Sequence, residues 1–124
     1  MEEAVIKRIL PHSIEAEAAV IGAMLLNKDA IMETAEILTG EDFYQTAYGI
    51  LFDSMVELFH VGKPVDLITL QEYLKEKSVP QEISEMEFAR DLLTSVQTWA
   101  NVKSYAQIVK EKATLRRLIK MNEE

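Results

Sequence analysis

The sequence predicts an all-α fold: a compact irregular bundle of about six helices. Three observations carry this expectation. Apolar residues recur at three- and four-residue spacing along most of the chain. No run of alternating β-branched residues is long enough for a strand. Capping residues or glycine and proline punctuate the periodic stretches, with connections of only a few residues between them.

Each element has its own justification. Ser13 is the expected N-cap of the first helix, and Glu15 and Glu17 place acids in its first turns, where they complement the helix dipole. Ile14, Ala18, Ile21 and Leu25 form its apolar stripe, and Gly22 inside it points to close approach of a second helix. Asn27 resets the chain, and Ile31, Ala35 and Leu38 mark a second short helix ending at Gly40. A third helix spans about Thr46 to His60, with Ile50, Leu51, Met55, Leu58 and Phe59 as a broad central stripe. Val61 and Gly62 stop it, and Pro64 follows. Asp66 caps a fourth helix carrying Leu67, Leu70, Tyr73 and Leu74, and Pro80 interrupts. Ser84 and Glu87 form a capping box for a fifth helix through Phe88, Leu92 and Leu93. Trp99 reads as a core anchor in the loop before the last helix. Asn101 caps that sixth and longest helix, which runs through Val102, Tyr105, Val109 and Ala113.

A chain of 124 residues with 48% hydrophobic content suits one domain with an ordinary core. No apolar run approaches a membrane span, and the acidic start lacks the apolar core of a secretory signal. Cysteine is absent, which removes disulfides, thiolate nucleophiles and zinc-thiolate sites and fits a reducing cytoplasm. A soluble cytoplasmic protein is expected. Charge is unevenly divided: residues 1–102 carry a net −11, residues 103–124 a net +3. An acidic body repels nucleic acid and favours a basic protein partner. Leu115, Leu118, Ile119 and Met121 carry the apolar pattern to the end without a stop signal, the pattern of a helix continuing in a longer protein.

Catalytic motifs are sparse. The four glycines are scattered, and Pro64 follows Gly62 and Lys63 where a phosphate loop needs a hydroxyl residue, so ATP hydrolysis by this chain is not expected. Glu57 and His60 share the Glu-x-x-His spacing of di-metal carboxylate bundles, but no second pair exists, and ordinary helix-end polar residues explain them. Glu41 with Asp42 and Glu85 with Glu87 sit at helix starts, where the dipole accounts for them. Lys110, Lys112, Arg116, Arg117 and Lys120 spread around the last helix and read as a solvated face, with a contact to nucleic acid or a neighbouring subunit as the sharper alternative. The residues alone therefore leave an interaction module, a helical-bundle carboxylate metalloenzyme and a small DNA-binding helical domain to be distinguished.

Three blocks favour the first. LPHSIEAEAAVIGAML (10–25), GKPVDLITL (62–70) and NVKSYAQIVKEKATLRRLI (101–119), with DFY at Asp42 to Tyr44 between them, resemble in order and spacing the N-terminal domain of the bacterial replicative DNA helicase, the DnaB type. The resemblance covers about residues 10–120. It implies an N-terminal arm (1–9), a helical collar domain (10–114) and the start of a truncated hairpin helix (115–124). It further implies a non-catalytic adapter supporting hexamer assembly and binding the C-terminal helicase-binding domain of primase. The parent would be an ATP-dependent 5′–3′ helicase whose missing RecA-like motor holds ATP and Mg and makes most DNA contacts. No catalytic, cofactor or metal residue is expected in this chain. Carried over residue by residue, Glu15 and Phe88 are the primase-contact candidates, and Leu115, Leu118 and Ile119 the self-association candidates. Three departures stand out: Tyr48 where the family usually has histidine, Ser84-Glu85 where a glycine pair is common, and a hairpin present only as the opening of its first helix, Leu115 to Glu124; at position 88 phenylalanine replaces the family's usual tyrosine. The body is expected to fold alone, as a monomer or weak dimer.

Overall fold

The computed structural model describes residues 9–84, 91–92 and 100–123. Its regular elements are α1 (Ile14–Leu26), α2 (Lys28–Ala35), a 3-10 turn (Gly40–Asp42), α3 (Thr46–His60), α4 (Leu67–Glu76), α5 (Gln81–Ser84) and α6 (Val102–Glu123). Every regular element among the described residues is helical, as expected. None is long and apolar enough to cross a membrane.

Local chemistry sets most boundaries. The extended Ser13 accepts the Ala16 N–H through Oγ at 3.2 Å and starts α1. Asn27 both ends α1 and caps α2, its Oδ1 accepting the Asp29 N–H at 2.7 Å. Asp66 and Thr69 form a reciprocal capping box at the start of α4. Gly62, at φ +81°, takes the left-handed conformation that lets the chain leave α3, where a side chain would be strained.

Two expectations are corrected. The second helix does not reach Gly40: α2 stops at Ala35, which is exposed, and Gly40 instead opens the 3-10 turn. The buried face of α1 is Ala16, Val20, Ile21, Ala23 and Met24, while Ile14, Ala18 and Leu25 lie at its margin. That face is rotated and widened because α1 packs against α2, α3 and α6 together. Ser84 lies in the one-turn α5, where its hydroxyl donates to the Gln81 carbonyl at 3.0 Å, and positions 91 and 92 are helical further on. Its capping-box partner Glu87 lies outside the described residues, as do Phe88, Leu93 and Trp99; Leu92 is described and buried.

The core is one cluster, with Ile21, Met24, Ile31, Leu51, Met55 and Val109 among its largest fully enclosed side chains. Its most extensive helix–helix contact is between α1 and α6, and α4 joins through α3. Burying each such side chain contributes about 1.5–3 kcal/mol. Helix α6 runs without a break through position 115, the boundary expected between the helical domain and the hairpin helix.

Candidate functional site

Residues 39–45, between α2 and α3, are fixed by carboxylates rather than by apolar packing alone. Glu17, on the inner face of α1, is only 1% exposed. Its Oε2 accepts the Tyr44 N–H at 2.7 Å and its Oε1 the Gln45 N–H at 3.1 Å. These amides lie just before α3, where the chain has no intrahelical partner to offer them, so a charge borrowed from α1 anchors the start of α3. From α3 itself, Asp53 Oδ1 accepts the Gly40 N–H at 3.1 Å. Burial, then the neighbouring Glu41 charge, raise the Asp53 pKa against the lowering effect of that hydrogen bond.

Asp42 ties the same segment to α6. Its side chain is fully enclosed. Oδ2 accepts the Thr39 N–H at 2.9 Å and pairs with Lys110 at 3.5 Å, while Oδ1 receives Arg117 Nη2. Burial raises the pKa of this carboxyl, but the Thr39 N–H, the Arg117 hydrogen bond and the charges of Lys110 and Arg117 together bring it below the ordinary carboxylate value. Arg116, 9% exposed, donates Nη2 to the Asp42 carbonyl at 2.7 Å and Nη1 to the Pro11 carbonyl at 2.9 Å. Its guanidinium carbon lies 5.6 Å from the Tyr44 ring centroid, and His12 stacks on that ring at 3.9 Å with 5° between planes. His12 Nδ1–H in turn donates to the Leu10 carbonyl at 2.7 Å.

The LPHSIEAE block, the DFY block and the Arg116-Arg117 pair thus meet in one polar clamp. This corrects two sequence expectations. Glu17 and Asp42 are not merely dipole-complementing acids, and Lys110, Arg116 and Arg117 are not simply a solvated face. The signal was present for two of them. Glu17 precedes Val20, Ile21 and Met24 by three, four and seven positions, and Arg116 follows Val109 and Ala113 by seven and three. A charge on an apolar stripe needs a buried partner. Asp42 offered no such periodicity. Every oxygen of the Glu17 and Asp42 carboxylates accepts a hydrogen bond or ion pair, so the clamp is built to hold the backbone.

Other candidates are placed differently. Glu15 is exposed in the first turn of α1, on the opposite side of the helix from Val20 and two residues from the enclosed Glu17. Leu115 and Leu118 are 40% and 50% exposed near the end of α6, with Ile119 partly covered beside them. Phe88 lies outside the described residues. Glu57 and His60 are both exposed, and among the described residues no group of three or more metal-ligating side chains comes together. Tyr48 is partly buried; burial, then the Glu17 charge, push its hydroxyl up.

Comparison with known proteins adds an independent finding. A family model described as the DnaB-like helicase N terminal domain matches residues 9–111. The replicative DNA helicase DnaB of Geobacillus stearothermophilus is 43% identical over 120 residues, 97% of this chain and 26% of that protein. The replicative DNA helicase DnaC of Bacillus subtilis is 39% identical over 113 residues, 91% of this chain and 25% of that protein. The chain therefore spans about a quarter of the length of these curated relatives. The crystal structure of the N-terminal domain of DnaB helicase from Mycobacterium tuberculosis superimposes with a TM-score of 0.89 at 36% identity, over 93% of this chain and 80% of that one. The N-terminal domain of the Helicobacter pylori DnaB helicase, described with its interactions with primase, shares the fold at a TM-score of 0.75 and 20% identity, over 88% of this chain and 85% of that one.

Proposed function

Because the chain belongs to the family of DnaB-like helicase N-terminal domains, we propose that it is a non-catalytic collar module that binds primase and supports assembly of a helicase hexamer in the cytoplasm. The observation that carries this reading is the division of its surface chemistry. The polar groups that fix the fold are enclosed and paired, whereas Glu15, Leu115 and Leu118 are left exposed for partners. The parent is an ATP-dependent 5′–3′ helicase, with ATP and Mg in a motor domain that also makes the main DNA contacts. This chain, which has no glycine-rich phosphate loop, neither hydrolyses ATP nor unwinds DNA by itself.

Primase contact rests on Glu15 and Phe88, and self-association on Leu115, Leu118 and Ile119. An exposed charge pairs with a basic partner residue at little desolvation cost, so Glu15→Ala weakens binding only a few-fold and chiefly at low salt. A truncated aromatic anchor costs more, so Phe88→Ala is expected to have the larger effect. Calorimetric titration with the C-terminal helicase-binding domain of the cognate primase tests both, with thermal melts as the folding control. No heat of binding from the unmodified chain defeats the adapter reading. An Ala variant at 88 that melts early without altered affinity per folded molecule removes Phe88 from the site.

A further inference from the structure

The clamp accounts for the LPHSIEAE and DFY blocks and for the end of the NVKSYAQIVKEKATLRRLI block, but not for GKPVDLITL. That block lies at the other end of α3, about 22 Å away along a helix of this length. There an open cavity of about 320 Å³ is lined by Lys28, Phe59, Gly62, Lys63, Pro64 and Val65. Its lining is mixed, with apolar surface from Phe59, Pro64 and Val65 beside a comparable polar share, and its charged groups are the two lysines. Neither lysine is paired with a carboxylate among the described residues. Val61 and Ile68, at 55% and 65% exposure, extend apolar surface from the same loop and the first turn of α4. Within residues 1–102, which carry net −11, this cavity has lysines as its charged lining, while the adjoining cavity that Lys63 also lines carries Glu72 and Glu76.

We propose that the cavity at the Gly62–Val65 loop docks a short segment of a partner protein that presents a carboxylate beside a large apolar side chain. Charge complementarity selects the acid: Lys28 and Lys63 are the charged groups of the cavity, and the apolar surface of Phe59, Pro64 and Val65 in the same lining receives the neighbouring side chain. The volume accommodates one or two side chains, which calls for a peptide anchor rather than a broad interface. The occupant is not nucleic acid, since the surrounding body is acidic. This site does not depend on primase contact at Glu15 or Phe88, which involves other residues.

The test is a ¹H–¹⁵N titration of the chain with the capped peptide acetyl-Asp-Leu-Phe-Asp-amide, alongside its Asn-for-Asp counterpart, inorganic phosphate and a short oligothymidylate. The expected result is saturable shifts at Lys28, Phe59, Gly62, Lys63 and Val65, with roughly fivefold or greater weakening for the Asn peptide and for Lys28→Gln/Lys63→Gln. Both lysines are exposed, so the double variant keeps its melting temperature and loss of binding is not loss of fold. Equal binding of the Asn peptide, shifts spread over the surface, or no shifts overturn the proposal. So do the same shifts produced by phosphate alone, tighter binding of the oligonucleotide, or shifts at this loop that track protein concentration without peptide. The last would assign the cavity to a second copy of the chain. Failure here leaves primase titration unaffected, so the two readings fail separately.

Discussion

At the start of α3 the Tyr44 and Gln45 amides are held by the enclosed Glu17 carboxylate of another helix, whereas at its end Val61, Gly62 and Lys63 turn in open solvent. The first arrangement is specified by long-range partners, and each buried polar atom depends on its counterpart. The second is set by local backbone chemistry, a left-handed glycine followed by a proline and a capping box. The difference teaches where substitution is tolerated. Architecture is stored where charges are enclosed, and recognition chemistry is free to vary where they are not. The same contrast appears within a single turn of α1, where Glu15 faces solvent and Glu17 faces the core.

Removing the most connected buried group breaks the comparison hardest. Asp42→Ala leaves the Thr39 amide, Lys110 and Arg117 without their acceptor. Because both cations keep about half their exposure, the cost stays below that of a fully buried pair, about 3 kcal/mol. Urea denaturation reads it, and a change under 1 kcal/mol shows that water replaces the carboxylate. Acid sharpens the same point. The folded-state carboxyl titrates below its unfolded value, so its stabilisation is complete above about pH 4 and is lost as pH falls through the lower folded value. Asp53, raised in the fold, acts in the opposite sense, so the informative quantity is the difference from Asp42→Asn. That difference should shrink as pH falls below about 4; a constant difference would falsify the linkage.

Glu17→Ala comes next, at about 2 kcal/mol, because two amides lose their acceptor. Glu17→Gln should recover part of this by restoring one carbonyl, and equal losses for both variants point to packing instead. At the opposite end, Gly62→Ala meets no steric obstacle, since nothing lies within 4 Å of the added methyl, but keeps the unfavourable φ, for about 1 kcal/mol. Smallest of all, Lys63→Gln should leave stability within about 0.5 kcal/mol. A loss there comparable to that of Glu17→Ala would erase the distinction between the two ends.

Much of this was legible in the residues. The N-cap at Ser13, the reset at Asn27, the span of α3 and the Asp66 cap are local signals, and each is found where expected. The clamp was harder to read, because its pairings join positions 28, 75 and 105 residues apart, and single-chain periodicity reports which face is inward but not what it meets. Glu17 and Arg116 could be flagged as charges on apolar stripes, yet not matched. Asp42, in a non-periodic turn, carried no mark. The exposed candidates faced a different difficulty: nothing in the pattern separates a solvated Glu15 from a contact residue, because recognition is defined by the partner.

Arg116 and Arg117 have a mechanical consequence. Helix α6 is about 33 Å long, and the arginines grip it roughly two-thirds of the way from Val102 to Glu123. Were that grip released while the first turn stayed seated, a tilt of 10° about Val102 would carry the far end sideways by about 6 Å, more than one helical turn. A few hydrogen bonds to the turn before α3 therefore set the aim of a lever, and a small change in that turn is magnified at the helix tip.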